Sequence, residues 1–249
     1  MFRHRLDEHI DVKTVLHWML LSFSAGSVNA SGFVMTGRFV THVTGFATLF
    51  GTDLASGEAL AAFRVLTVPL FFLLGAMTSG LLIDRQIYRK KSPHFDWVMA
   101  TSAIFLLTAA VVGMTKGILP LGTMPEVQDS YLVLALMCAS SGLQNAAFTS
   151  SSGATIRTTH MTGLTTDIGL GVARLATFSP RTSEFRREAR NVILRAGTVS
   201  SFVIGSLVGA FFALRMQSLG LLLPASISAY AAWHGRRQKV AMHRITNAI

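Results

Sequence analysis

Residues 196–235 read AGTVSSFVIGSLVGAFFALRMQSLGLLLPASISAYAAWHG, and Arg215 is the one charged residue among them. It divides the run into two uncharged windows, 196–214 and 216–235. A helix rises about 1.5 Å per residue, so about 20 residues cross a hydrocarbon core of about 30 Å. Four further windows free of Asp, Glu, Lys and Arg lie at 14–37, 65–83, 97–115 and 131–156, each of 19 residues or more. Six such windows in 249 residues exclude a soluble globular domain. They predict an all-α, polytopic membrane protein. Composition agrees: 51% of residues are hydrophobic and 14% charged, against about 25% charged in soluble proteins. Long uncharged runs without ten-residue alternation argue against a transmembrane β-barrel.

The net charge of +10 would point to nucleic acid in a soluble chain. Here the basic residues flank the windows, no nucleic-acid motif is present, and topology is the reading. Six spans with a cytoplasmic N-terminus put 18 of the 22 basic residues on the cytoplasmic side. These are Arg3, Arg5 and Lys13, the Arg85–Lys91 cluster, the arginines from Arg157 to Arg195, and the tail from Arg236 to Arg244. Only Arg38, Arg64, Lys116 and Arg215 fall outside. Both termini are therefore expected in the cytoplasm. The apolar run behind Arg3, Arg5 and Lys13 has 24 residues, longer than the about 7–15 of a signal peptide, and reads as a retained span. His17, Trp18, Trp97 and Trp233 lie near predicted span ends, where interfacial anchors sit. Residues 179–195 (SPRTSEFRREARNVILR) read as a cytoplasmic surface helix leading into a span.

Residues 39–57 and 158–177 are apolar but short. As full spans they would give eight, and the basic residues would divide about 15 to 7, a poorer fit to the positive-inside rule. Two re-entrant or broken helices are the preferred reading, since irregular backbone at membrane depth is tolerated where protein or water surrounds it.

The chain also repeats itself. Gly26, Asn29, Ala30, Gly37, Thr41, His42, Thr44, Gly45, Thr48 and Gly51 match Gly142, Asn145, Ala146, Gly153, Thr159, His160, Thr162, Gly163, Thr166 and Gly169. A single two-residue insertion reconciles all ten pairs, and Thr-His-x-Thr-Gly occurs in both copies. More weakly, FLLGAMTSGLLIDR (72–85) aligns with FVIGSLVGAFFALR (202–215), pairing Gly75 with Gly205 and Ser79 with Gly209. These small residues read as close helix packing. The copies divide the chain into 1–119, with spans near 14–37, 65–83 and 97–115, and 120–249, with spans near 131–156, 196–214 and 216–235. Three spans per copy is an odd number, so the second copy would be inverted relative to the first, a recurring plan in secondary transporters.

The repeated polar residues are the candidate substrate path: Asn29, Thr41, His42, Thr44 and Gly45 in the first copy, and Gln144, Asn145, Thr159, His160, Thr162 and Gly163 in the second. Asp167 follows Thr166 in a polar turn and joins them. Helix N-termini favour an anion or a carbonyl oxygen, so an anionic solute would suit, and Thr41 or Thr44 and Thr159 or Thr162 are expected to cap those helices. Glycines admit close approach. Histidine changes charge near neutral pH, which opens a route to proton coupling. The plainer alternative is that the threonines and asparagines only satisfy backbone groups and bridge helices.

The runs SAGSVNASGF and GRFVTHVTG, then SSGLQNAAF and TTHMTGLTTDIG, and the late LLLPA resemble the YoaK-like family of uncharacterised bacterial inner-membrane proteins, a domain of unknown function. The resemblance spans about residues 15–233. It implies a multi-spanning protein of the bacterial inner membrane, often presumed to be a transporter. The chain departs from the family pattern at Asn29, where relatives tend to carry Asp, and at Phe46, where Asn tends to follow Thr-Gly. Any proton-coupling role of that carboxylate would pass here to His42 or His160.

These readings converge on a small-solute permease in contact with the lipid bilayer. The competing class is a non-transporting assembly or regulatory protein in which the same residues lock helices. No Gly-x-Ser-x-Gly, His-Glu-x-x-His, Walker or dinucleotide motif is present, so no enzyme is expected, nor any cofactor or metal. A membrane hydrolase using a histidine with Asp167 lacks a specified nucleophile. The single cysteine, Cys138, permits no intramolecular disulfide. Small-residue faces at Gly75 and Gly205 leave a homodimer open.

Overall fold

The computed structural model describes residues 11–115, 127–152 and 159–246. Arg3, Arg5, Lys116, Gly153 and Arg157 lie outside the described residues. Within them the chain is all-helical: α1 (Val12–Thr36), α2 (Val43–Ala55), α3 (Ala59–Leu82), α4 (Asp84–Tyr88), α5 (Phe95–Thr115), α6 (Val127–Ser151), α7 (Met161–Thr177), α8 (Ser183–Met216) and α9 (Leu222–Thr246), with a 3-10 turn at Gln217–Leu221 before α9. No strand occurs among the described residues.

Among the described residues, four helical stretches are long and apolar enough to cross a membrane: Ala59–Tyr88, Phe95–Thr115, Tyr131–Ser151 and Ser183–Lys239. The last takes in two of the uncharged windows, with the 3-10 turn falling at the start of the second. The window at 14–37 falls in α1, which is not one of the four. Its apolar character is diluted by Ser22, Ser24, Ser27 and Ser31, all buried. Two of these face α8: the Ser22 hydroxyl donates to the Thr198 carbonyl at 2.7 Å and that of Ser31 to Gly209 at 3.2 Å. α1 is thus a polar-faced helix turned inward, with α8 satisfying hydroxyls that lipid would leave bare.

Helix pairing follows the small residues. A Cβ on Gly26 would overlap the Phe202 carbonyl of α8, and one on Gly142 the Phe72 carbonyl of α3. Gly205 in turn lies against Phe23, and Gly75 against Ala139. Only glycine lets these backbones approach so closely. Contacts rise together along α1 and α8, from Ser22·Thr198 to Ser31·Gly209, so the two helices run parallel. α1 and α6 run antiparallel: Trp18 packs on Phe148 with ring centroids 6.0 Å apart, while beyond the other end of α1 the Cys138 thiol donates to the Val40 carbonyl. Gln144 ties three helices, donating from Nε2 to Ser102 Oγ on α5 (2.8 Å) and Ser228 Oγ on α9 (3.0 Å).

Apolar side chains divide between interior and periphery. One buried cluster surrounds Met35, Leu106 and Leu134, and a second surrounds Trp18, Leu143 and Phe148. Exposed stripes at helical spacing, such as Leu66, Leu70, Leu73, Met77 and Leu81 on α3 and Val203, Leu207, Phe211 and Leu214 on α8, face lipid. Trp97 and Trp233 are exposed, but Trp18 is fully buried, so the rotation of α1 removes it from the interfacial role that its position predicts. The arginine-rich segment also differs from expectation. It is no separate surface helix: α8 runs unbroken for 34 residues from an N-cap at Thr182, whose hydroxyl accepts from the Phe185 N–H.

Candidate functional site

The site begins with the link between α1 and α2. α1 ends at Gly37, whose φ of 66° is the left-handed cap that glycine adopts without strain, with its N–H on the Phe33 carbonyl. The chain then turns back, and both the N–H and the hydroxyl of Thr41 donate to Asn29 Oδ1, at 3.1 and 3.0 Å. One amide oxygen on α1 thereby sets where α2 starts. His42 is the N-cap of α2 and makes no side-chain cap bond. Its ring folds over the first turn, and a Cβ on Gly45 would lie 2.8 Å from His42 Nδ1.

The second copy is built alike. His160 is the N-cap of α7, again without a side-chain cap bond, and a Cβ on Gly163 would lie 2.7 Å from His160 Nδ1. This gives the last position of Thr-His-x-Thr-Gly its physical meaning: the glycine clears room for the imidazole three residues earlier. The expected threonine caps do not form. Thr41 serves Asn29 instead, while the carbonyls of Thr44 and Thr162 accept from Thr48 and Thr166.

Both segments open on one cavity of about 540 Å³. Asn29, Thr41, His42, Thr44, Asn145, Thr159, His160 and Thr162 line it, so eight of the residues singled out in the sequence meet there. Val43 and Met161, the variable position of the motif, add apolar wall, as do Phe72 and Phe202, which lead the two weakly aligned blocks. Phe39 completes the lining; the matching position of the second copy lies outside the described residues. Phe39 and His42 also bound a second cavity of about 390 Å³, formed with Gly37, Arg38, Gly45, Phe46, Thr48 and Leu49. Phe39 stacks on Phe33 (centroids 4.4 Å apart) and meets the His42 ring edge-on (5.8 Å).

Four singled-out residues lie elsewhere. Gln144 is buried in the α5–α6–α9 tie, and Gly163 sits beneath His160. Gly45 lines the second cavity, and Asp167 pairs with Arg195 of α8 at 3.5 Å. Reading the sequence missed the aromatic walls Phe39, Phe72 and Phe202. The alignment of Phe72 with Phe202 is the available signal, but within those blocks only the small residues draw attention, as packing positions. No group of three or more His, Cys, Asp or Glu side chains able to hold a metal ion occurs among the described residues.

The chain is similar to the UPF0700 transmembrane protein YoaK of Bacillus subtilis (strain 168), with 22% identity over 192 residues, which cover 77% of this chain and 80% of that one. No solved structure matches it. The sequence model described as "Protein of unknown function (DUF1275)" matches residues 17–233. With nearly its whole length matched, this transmembrane chain belongs to the DUF1275 family.

Proposed function

We propose that the protein is a small-solute permease of the bacterial inner membrane, with its path running between two inverted repeats. The single observation that carries the reading is the cavity of about 540 Å³, walled by the same residue types from both halves of the chain. In this reading α1, α3, α5, α6, α8 and α9 are six spans, α2 and α7 are short helices that end within the bundle, and both termini face the cytoplasm. The antiparallel course of α1 and α6, whose sequences match, supports inversion. So does the reciprocal packing of the first helix of each half on the third of the other. Transporters of this plan bind solute at the repeat interface, between interrupted helices. Proton coupling enters through His42 and His160, which flank the solute space.

Single cysteines at Thr44 and Thr162, in a Cys138→Ser background, test the path. A membrane-impermeant thiol reagent is expected to reach position 44 in intact cells and position 162 in inverted vesicles. Lys91→Cys, at an exposed position, is the cytoplasmic control. If positions 44 and 162 stay unreactive from both sides while the control labels, the motif is buried packing. The protein is then an assembly or regulatory component.

A further inference from the structure

We infer that the two adjoining cavities bind a small organic anion, a carboxylate or sulfonate with a short apolar body; this rests on the reading of the larger cavity as a solute path. Arg38 lines the smaller cavity, half-buried, and has no acidic partner among the described residues. A guanidinium partly withdrawn from water without a counter-charge is costly, so its retention calls for an anion that the fold itself does not supply. Topology gives no other reason for it, because Arg38 is one of the four basic residues that the six-span arrangement places outside. His42 belongs to both cavities, and His160 lines the larger one with it.

The remaining lining points the same way. No Asp or Glu lines either cavity among the described residues, so a cation would meet no counter-charge. The first turns of α2 and α7 carry N–H groups that no N-cap side chain occupies, and these add to the positive potential. A neutral solute would make no use of the guanidinium. An inorganic ion would leave unused both the aromatic walls, Phe39, Phe72 and Phe202, and a volume within the range of about 300–1,000 Å³ typical of small-molecule sites. Phe39, shared by both cavities, is the partition between Arg38 and the central space.

The test compares reagents of opposite charge at Thr44→Cys and Thr162→Cys in the full chain with Cys138→Ser. The anionic sulfonatoethyl and the cationic trimethylammonioethyl methanethiosulfonates are each normalised to their rate with 2-mercaptoethanol. Focusing of charge in a cleft raises encounter rates by about tenfold or more, and that preference for the anion is expected at both positions. Arg38→Gln should lower it several-fold at position 44, whereas Arg38→Lys should retain most of it. Millimolar butanesulfonate should slow labelling, while butylammonium should not. Equal rates, or a preference for the cation, overturn the anion site and leave the path standing. Failure of either reagent to react at both positions, with Lys91→Cys reactive, overturns the path and the anion site together.

Discussion

α2 and α7 start from the same five-residue motif, yet the molecule holds them differently. α7 is fastened by charge to the N-terminal extension of α8: Arg174 pairs with Glu188 at 3.1 Å and Asp167 with Arg195 at 3.5 Å. α2 has no such bridge among the described residues. It packs on α3 through apolar contacts such as Phe50 on Phe63, with ring centroids 5.6 Å apart, and Phe46 is its one buried residue. The motif therefore specifies the local geometry at the cavity, a histidine cap folded over a glycine, and the surrounding helices specify how firmly each copy is held. The contrast assigns α2 the looser mounting, next to the cavity that contains Arg38.

The halves should fail alike where their construction is shared. Gly26→Leu and Gly142→Leu each thrust a side chain into a facing helix carbonyl. Each should cost about 3 kcal/mol, the upper end for overpacking a tight interface. Thermal unfolding of the detergent-solubilised protein should fall similarly for both variants. A large drop for one and none for the other would show that the two interfaces are not equivalent.

The next effect separates the halves at the link into α2. Asn29→Ala removes the acceptor of two hydrogen bonds from Thr41, for an expected loss of about 1–2 kcal/mol. Asn29→Asp keeps an oxygen in place and should restore most of it. Because Asn29 organises the cavity wall while Gln144, the amide beside Asn145 on α6, ties helices away from it, Asn29→Ala should raise thiol reactivity at position 44. Gln144→Leu should lower stability without changing that reactivity. Equal reactivity changes in both variants would break the distinction.

What could be read from the chain depended on whether the signal lay in composition or in rotation. Uncharged length identifies the membrane helices at 65–83 and 97–115 directly, because α3 and α5 meet lipid along much of their surface. It describes α1 less well, since buried serines lower its hydropathy and two of them, Ser22 and Ser31, donate to α8, a partner far off in sequence. The polar motif was legible because threonine, histidine and glycine at fixed spacing stand out in an apolar chain and occur twice. Phe39, Phe72 and Phe202 were not, because nothing along the chain distinguishes a cavity-lining ring among 17 phenylalanines. Trp18 and Gln144 failed for a related reason: position along a helix is a sequence property, but the direction a side chain faces is settled only by packing.

The smallest expected effect probes the difference in mounting itself. Asp167 is 47% exposed and its partner Arg195 14%, so the pair is worth at most about 0.5 kcal/mol after solvent screening. Asp167→Asn should scarcely change unfolding. Its consequence is local: with one of two fastenings released, the start of α7 should open more often, and labelling at position 162 should rise toward that at position 44. Adding Glu188→Gln removes the second fastening and should bring the two rates together. If position 162 were indifferent to both changes, the ion pairs would be incidental, and the tight contact of Gly171 with Val192 would be what holds α7. In that event Gly171→Ala, whose added methyl presses on Val192 and Glu188, becomes the variant that separates the two helices' behaviour.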